Sequence, residues 1–354
     1  ENVTNLELFL KSIKIKGLLE KLKIQNLIVS NLNIDYGPNN KDQNSIVKNL
    51  NFVFDDIEVN SDSLNISLQS ASFQSKEVGN LKNASLKLNK VHDNLYVDGL
   101  DIIHNKYLIN GKGDLNYCMG NSSNFLENLI INNFSLAVSI PKNAFSKYEF
   151  PQDLQIKNIF SGSIKNLFSK FKITFSNQSF SEGYFTLKFN SIDDVILEGE
   201  KIYTILQKDD LNKFVKTNAP DFLSGEFKLL NNLELTTDFK TKLNSFTLID
   251  SKFNIENGYI KSNIGLEKLD GNWKIKNTNS FHDFSIYSFY QKLGKIKFNG
   301  ISTFNTLVSD FKKIDFLDLK VSLDSFEFNN QKLSDIDILL NKKSNERYNL
   351  KTNI

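Results

Sequence analysis

Residues 319–323 read Leu319-Lys320-Val321-Ser322-Leu323, with an apolar side chain at every second position. In an extended chain successive side chains point to opposite faces, so this stretch is a strand with one apolar and one polar face. The same reading holds outward in both directions. Ile336, Ile338 and Leu340 follow it, and Ile296 and Phe298, Trp273 and Ile275, and Phe253 and Ile255 precede it. Further back lie Phe185, Leu187 and Phe189, then Phe171, Ile173 and Phe175. Near the start come Leu86 and Leu88, Leu64, Ile66 and Leu68, and Phe52 and Phe54. A chain of 354 residues built this way must cover a very large apolar sheet surface.

Composition narrows the function classes. The formal charge is +2, from 43 basic and 41 acidic residues in alternation. Nucleic-acid binders carry a basic face or stripe; here charges such as Lys295 and Lys297 occupy the polar positions of strands, so no nucleic-acid partner is expected. Only 4 Pro and 16 scattered Gly are present, so no linker divides the chain and one continuous array over 1–354 is expected, with a weak break near 141–151. One cysteine, Cys118, excludes an internal disulfide. The chain starts at Glu1 and its last residues still read as strand, which suggests a piece of a longer protein. No run approaches the roughly 18 apolar residues of a transmembrane helix. Asn-x-Ser/Thr triplets at Asn65, Asn83 and Asn133 follow from the abundance of Asn and are not read as glycosylation sites.

Strand-like segments recur about every ten to fourteen residues, the rhythm of an antiparallel meander. The opening run, from Leu6 through Ile15 to Leu18-Leu19, is broken at Gly17. The three-residue step from Ile24 to Leu27 predicts a turn or bulge at Gln25-Asn26, and Gly37-Pro38-Asn39-Asn40 predicts a turn. Gly111-Lys112-Gly113 also reads as a turn between strands. Between Pro141 and Pro151, Ala144, Phe145 and Tyr148 suggest one helical turn. The main helix is expected over 209–218, capped by Asp209 or Asp210 and ended by Asn218 and Pro220. It must dock Leu211, Phe214 and Val215 on the sheet to be stable. A weak repeat sets Asn80–Lys90 against Lys332–Lys342, with Leu81 opposite Leu333 and each copy following a Phe, Phe73 or Phe326. Asn257 to Trp273 gives a third, looser copy.

The fold expected is therefore all-β with minor short helices: a long, curled, repeating β-groove whose concave face is apolar. At about twelve residues per strand and about 4.8 Å between strands it extends on the order of 100–140 Å. Soluble monomers expose apolar patches of only a few hundred Å², so a helix, a second sheet or a lipid acyl chain has to fill the groove. A sixteen-carbon chain contributes on the order of 12 kcal/mol on burial.

Two stretches carry a family resemblance. Residues 10–36 run Leu10, Ile13-Lys14-Ile15, Gly17-Leu18-Leu19, then Leu22, Ile24, Leu27, Val29, Leu32, Ile34 and Tyr36. Ile140 to Phe304 holds Ile140-Pro141-Lys142, Asp153-Leu154 leading to Phe160-Ser161-Gly162-Ser163-Ile164, and Asp210-Leu211-Asn212-Lys213-Phe214 leading to Leu223-Ser224-Gly225. Asn257-Gly258-Tyr259 and Leu269-Asp270-Gly271 come next. These resemble the repeating units of the AsmA-like/TamB family of bacterial envelope proteins, and the stretch from Ile140 to Phe304 most specifically resembles its translocation and assembly module branch. The resemblance implies a periplasmic β-groove, tied to the inner membrane by a segment outside this chain. It implies phospholipid acyl chains as cargo for outer-membrane biogenesis, and an outer-membrane barrel of the assembly-module type as partner. The family transfers no catalytic residue.

No catalytic, cofactor or metal site is expected from the residues either. His92, His104 and His282 are far apart and no zinc spacing occurs. Asp55-Asp56, Asp193-Asp194 and Asp209-Asp210 are adjacent, and strand neighbours point to opposite faces. The expected groove-lining residues are Phe185, Leu187, Phe189, Phe253, Ile255, Ile296, Phe298, Leu319, Val321 and Leu323. A structural or adhesive extracellular array with a self-filled core is the alternative, and a glycan-acting β-solenoid enzyme a third.

Overall fold

The computed structural model describes residues 21–36, 45–60, 63–75, 79–92, 94–117, 129–144, 150, 152–191, 194–218, 232–255, 258–285, 295–309, 313–342 and 348–353. The expectations at Leu6–Leu19, Gly37–Asn40, Cys118, Phe145, Tyr148, Pro220 and Leu223–Gly225 lie outside the described residues. The described chain is nearly all antiparallel β, and it divides into two compact units, Glu1–Ser139 and Ile140–Ile354.

The first unit is a meander of β1 Lys21–Tyr36, β2 Ser45–Asn60, β3 Ser63–Ser75, β4 Gly79–Val91, β5 Asn94–His104, β6 Tyr107–Tyr117 and β7 Leu129–Ile140. Each strand pairs with the next. Period-two alternation puts the apolar side chains on one face. Ile66 is directly opposite Leu88 and Leu68 opposite Leu86, and these face Val97 and Leu100 of β5. Ile24 through Leu27 run in unshifted register against Ile57 through Phe54, although Asn26 is left-handed at φ 58°. The register shifts come instead on either side of Leu32, so the bulge expected at Gln25-Asn26 is displaced toward Asn31, where the amide donates to Asn51 Oδ1 at 2.8 Å.

The expected turn at Gly111-Lys112-Gly113 is also corrected: all three residues lie inside β6. Gly111 stands directly opposite Leu136, and a Cβ there would come within 3.0 Å of the Phe134 ring. The glycine makes room for a side chain on the neighbouring strand rather than bending its own.

The second unit continues the pattern with β8 Leu154–Ser163, β9 Asn166–Thr174, β10 Phe180–Ser191 and β11 Asp194–Gln207, followed by the helix α1 Lys208–Asn218. Then come β12 Asn232–Lys242, β13 Ser245–Ile255, β14 Gly258–Leu269, β15 Asn272–Ser285, β16 Ile296–Ser309, β17 Lys313–Phe328, β18 Gln331–Lys342 and β19 Asn349–Asn353. Every strand from β8 to β19 again pairs with its successor. The repeat noticed in the sequence has a structural counterpart. Phe73 is directly opposite Leu81 in one unit, and Phe326 is directly opposite Leu333 in the other.

Bulges interrupt the second unit in a recurring way. Lys201, Asp250 and Asp283 each adopt left-handed backbone, at φ 52°, 47° and 49°. Each donates its amide to an Asp or Asn on the next strand: Asp238, Asn263 and Asn299, all at 2.7 Å. An extra residue in one strand leaves an amide without its ladder partner, and the side-chain oxygen satisfies it. Bulges raise local twist, so this device is repeated along the sheet.

α1 begins one residue earlier than expected, at Lys208. Asp209 and Asp210 therefore stand in the first turn instead of preceding it. Asp209 is exposed, whereas Asp210 is buried and accepts hydrogen bonds from the Ser176 and Ser179 hydroxyls, the second at 2.5 Å. Helical rather than strand geometry separates this pair. Leu211 packs with Ile255 and Phe284, and Leu206, Leu233, Ile260, Phe281 and Phe298 surround that cluster. The side chains of Phe214 and Val215 lie outside the described set.

Candidate functional site: the apolar face of the second unit

Directly opposed residues of neighbouring strands share a face. Phe185 is opposite Gly199, and Leu187 is opposite Leu197. Phe253 is opposite Ile260, which is opposite Phe281, which is opposite Gly300, which is opposite Leu323. Phe298 faces Phe284, Val321 faces Ser302, and Leu319 faces Phe304. Phe189, Ile255 and Ile296 fall on the same side by alternation within their strands. All the residues singled out in the sequence therefore share one face. Charged side chains line the other face: Lys172 pairs with Glu182 at 2.9 Å, and Glu198 bridges Lys188 at 2.5 Å and Lys240 at 2.6 Å.

The shared face is not uniformly covered. Ile255 and Leu323 are buried, at 5 and 8 % exposure. Phe189 is 39 % exposed, and Phe185, Leu187, Phe253, Ile296, Phe298, Leu319 and Val321 are half-buried. Among the described residues the side chains sealed completely from solvent are small and polar: Thr306, Ser169, Ser179 and Ser251. Their hydroxyls are satisfied locally. Thr237 Oγ1 lies 2.5 Å from Ser251 Oγ, the Ser179 hydroxyl donates to Asp210 Oδ2 at 2.5 Å, the Ser169 hydroxyl to the Lys170 carbonyl at 3.4 Å and Thr306 to the Phe316 carbonyl at 2.6 Å. The deepest layer of the face is thus a hydrogen-bonded floor, and the large apolar groups stand above it in partial contact with solvent.

Two hollows adjoin this face. One, of about 400 Å³, is lined by Ile156, Phe171, Ile173, Phe185, Leu197 and Phe239, together with Asn158, Ser181 and Ile202. Sequence reasoning took Phe185 from this group and missed the others. The signal was mid-strand glycine. A Cβ on Gly199 would lie 2.2 Å from the Phe239 ring, and one on Gly183 would lie 2.7 Å from Ile202. Both glycines let large side chains lie flat against the backbone. Asn158 Oδ1 is buried without a hydrogen-bond partner among the described residues. The other hollow, of about 470 Å³, is polar and lies at the start of α1, where Gln152, Gln178, Gln207, Lys208, Asp209 and Lys213 line it.

The histidines are dispersed. His92 sits in the turn after β4 and His104 ends β5. His282 stacks on Tyr259 at 4.4 Å on the polar face and shares a 2.8 Å hydrogen bond with Ser280. Among the described residues no group of three or more His, Cys, Asp and Glu side chains is placed to hold a metal ion, and no helix is long and apolar enough to cross a membrane.

The carboxylates of the polar face have displaced acidities. Hydrogen bonds from Lys188 and Lys240 hold Glu198 below its ordinary range. Lys297 and Asn299 do the same for Asp283, and Lys21 for Glu58. Burial raises the Tyr203 phenol. None of these groups faces the apolar hollow. Compared with family models, with curated proteins and with solved structures, the chain matches none.

Proposed function

We propose that this chain is a non-enzymatic, lipid-bearing β-groove whose sheets coil around their apolar faces and shield acyl chains from water. One observation carries the reading: the apolar face holds many half-buried Phe, Leu and Ile side chains, yet the fully sealed ones among the described residues are only Ser and Thr. A self-filled core of this size seals large apolar side chains first. The recurring bulges at Lys201, Asp250 and Asp283 support coiling. Together with the resemblance to the AsmA-like/TamB family, this favours phospholipid as cargo, the bacterial periplasm as setting and outer-membrane biogenesis as purpose. An outer-membrane barrel partner and an inner-membrane anchor belong to the same proposal.

The competing reading is a structural array with a filled core. The Leu211 cluster favours it locally, because α1 there covers Ile255 and Phe284.

Mass spectrometry of solvent extracts from protein purified without detergent tests the proposal. Co-purified phospholipid near or above one molecule per chain is the expected result. A monomeric, lipid-free protein would overturn the groove reading in favour of the filled array.

A further inference from the structure

The apolar hollow lies over the strands of the β9–β10 hairpin, and the polar hollow lies at its bend. Ile173 and Ser181 line the first, and Ser176 and Gln178 line the second. Ser176 and Gln178 lie in the bend that joins β9 to β10, each three positions from its counterpart, so about 10 Å is the longest chain path between the hollows. Ser181 lies on the apolar face with Phe185, and Ser179, just before β10, donates to Asp210 of α1. α1 packs Leu211 onto that face, so the polar hollow opens where the apolar face ends. The apolar hollow has no charged lining residue. The polar one gathers Lys208, Lys213, Asp209 and side-chain amides, while the Asp210 carboxylate is already held by Ser176 and Ser179.

We propose that the two hollows form one binding site for a zwitterionic glycerophospholipid, with an acyl chain over Phe171, Phe185 and Phe239 and the headgroup at the start of α1. Lys208 meets the phosphate and Asp209 the ammonium group. The inference rests on the reading of the apolar face as an acyl-chain surface and adds to it the class of headgroup. Charge complementarity selects the occupant. A neutral lipid leaves Lys208 and Asp209 without partners, and an anionic one leaves Asp209 opposed to its phosphate.

The test measures binding of palmitoyl lysophosphatidylethanolamine and of monopalmitoylglycerol, each below its micelle concentration, to the full chain. Lys208→Glu is expected to weaken the lysophospholipid at least about tenfold while leaving the monoglyceride unchanged. Leu197→Trp, which fills the apolar hollow, is expected to weaken both. If Lys208→Glu changes neither while Leu197→Trp weakens both, the headgroup assignment is wrong and the acyl-chain reading stands. If the unsubstituted protein binds neither lipid, both fail. Phosphoethanolamine without a chain, binding as tightly as the lysophospholipid, would also overturn the proposal by marking a free-phosphate site. An acidic residue in a first helical turn favours the helix, so Lys208→Glu remains decisive even if Leu197→Trp does not fold.

Discussion

Gly199 and Phe239 show how much one missing methyl group decides. The ring lies where a Cβ would stand, with three of its carbons within 2.8 Å of that point. Gly199→Ala must therefore lift the ring into the hollow, at a cost of about 1–3 kcal/mol in denaturant unfolding. Gly265 is the control: nothing lies within 4 Å of its Cβ position, so Gly265→Ala should be neutral or slightly stabilising. Adding Phe239→Leu to Gly199→Ala should recover part of the loss, and a double-mutant cycle with no coupling would show that the ring is not what the glycine accommodates. Asn158 makes the opposite case. Its buried Oδ1 lacks a partner, so Asn158→Leu should raise stability by roughly 1 kcal/mol. Neither position was legible from alternation. Gly199 and Asn158 hold places on the apolar face where period two calls for a large apolar side chain, and only the registers of β11 against β12 and of β8 against β9 show what stands opposite them.

At the scale of elements, the strands were legible because alternation is a property of each strand alone. Gly111–Gly113 misled because a glycine pair signals a turn as well as it signals close packing against Phe134 of the next strand. The helix was legible from its spacing, but its acidic first turn was read as a cap because the Ser176 and Ser179 partners come from a distant hairpin. Leu211 is the single described contact that ties α1 into a buried cluster. Leu211→Ala should cost about 2–5 kcal/mol if the cluster does not collapse around the gap. Hydrogen exchange should rise in α1 before it rises in β13. The polar face stitches strands differently. Glu198 joins β10, β11 and β12 through Lys188 and Lys240. Its lowered pKa means that the stabilisation is present above the ordinary value near 4.5 and is lost as pH falls through the lower folded-state value. The Tm difference between the native protein and Glu198→Gln should be constant at neutral pH and shrink below about that value. Because all three side chains reach solvent, the difference should stay within about 1 kcal/mol and fall with added salt.

Across the molecule, a groove and a filled array respond to a buried charge in opposite ways. Phe185 stands in the open hollow, half-buried, with rings at 6.2 Å from Phe160 and 6.0 Å from Phe171. In a groove, the carboxylate of Phe185→Asp stays hydrated while the protein is empty, and the chain folds with a modest loss of packing. An acyl chain entering that hollow would strip water from the charge, so lipid binding should be lost while the circular dichroism spectrum is kept. In a filled array the same carboxylate is desolvated by folding itself, and the protein should lose several kcal/mol of stability or fail to fold. Ile255→Asp, beneath α1, sets the scale for that second behaviour, because Ile255 is 5 % exposed and packed against Leu211. The contrast between the two substitutions therefore tests the groove without assuming which lipid occupies it. If Phe185→Asp unfolds the chain as fully as Ile255→Asp does, the apolar face is a core and the lipid reading is wrong. If it folds, loses lipid, and Phe298→Arg does the same, acyl chains contact the face on both β10 and β16, as a continuous path across the sheet requires.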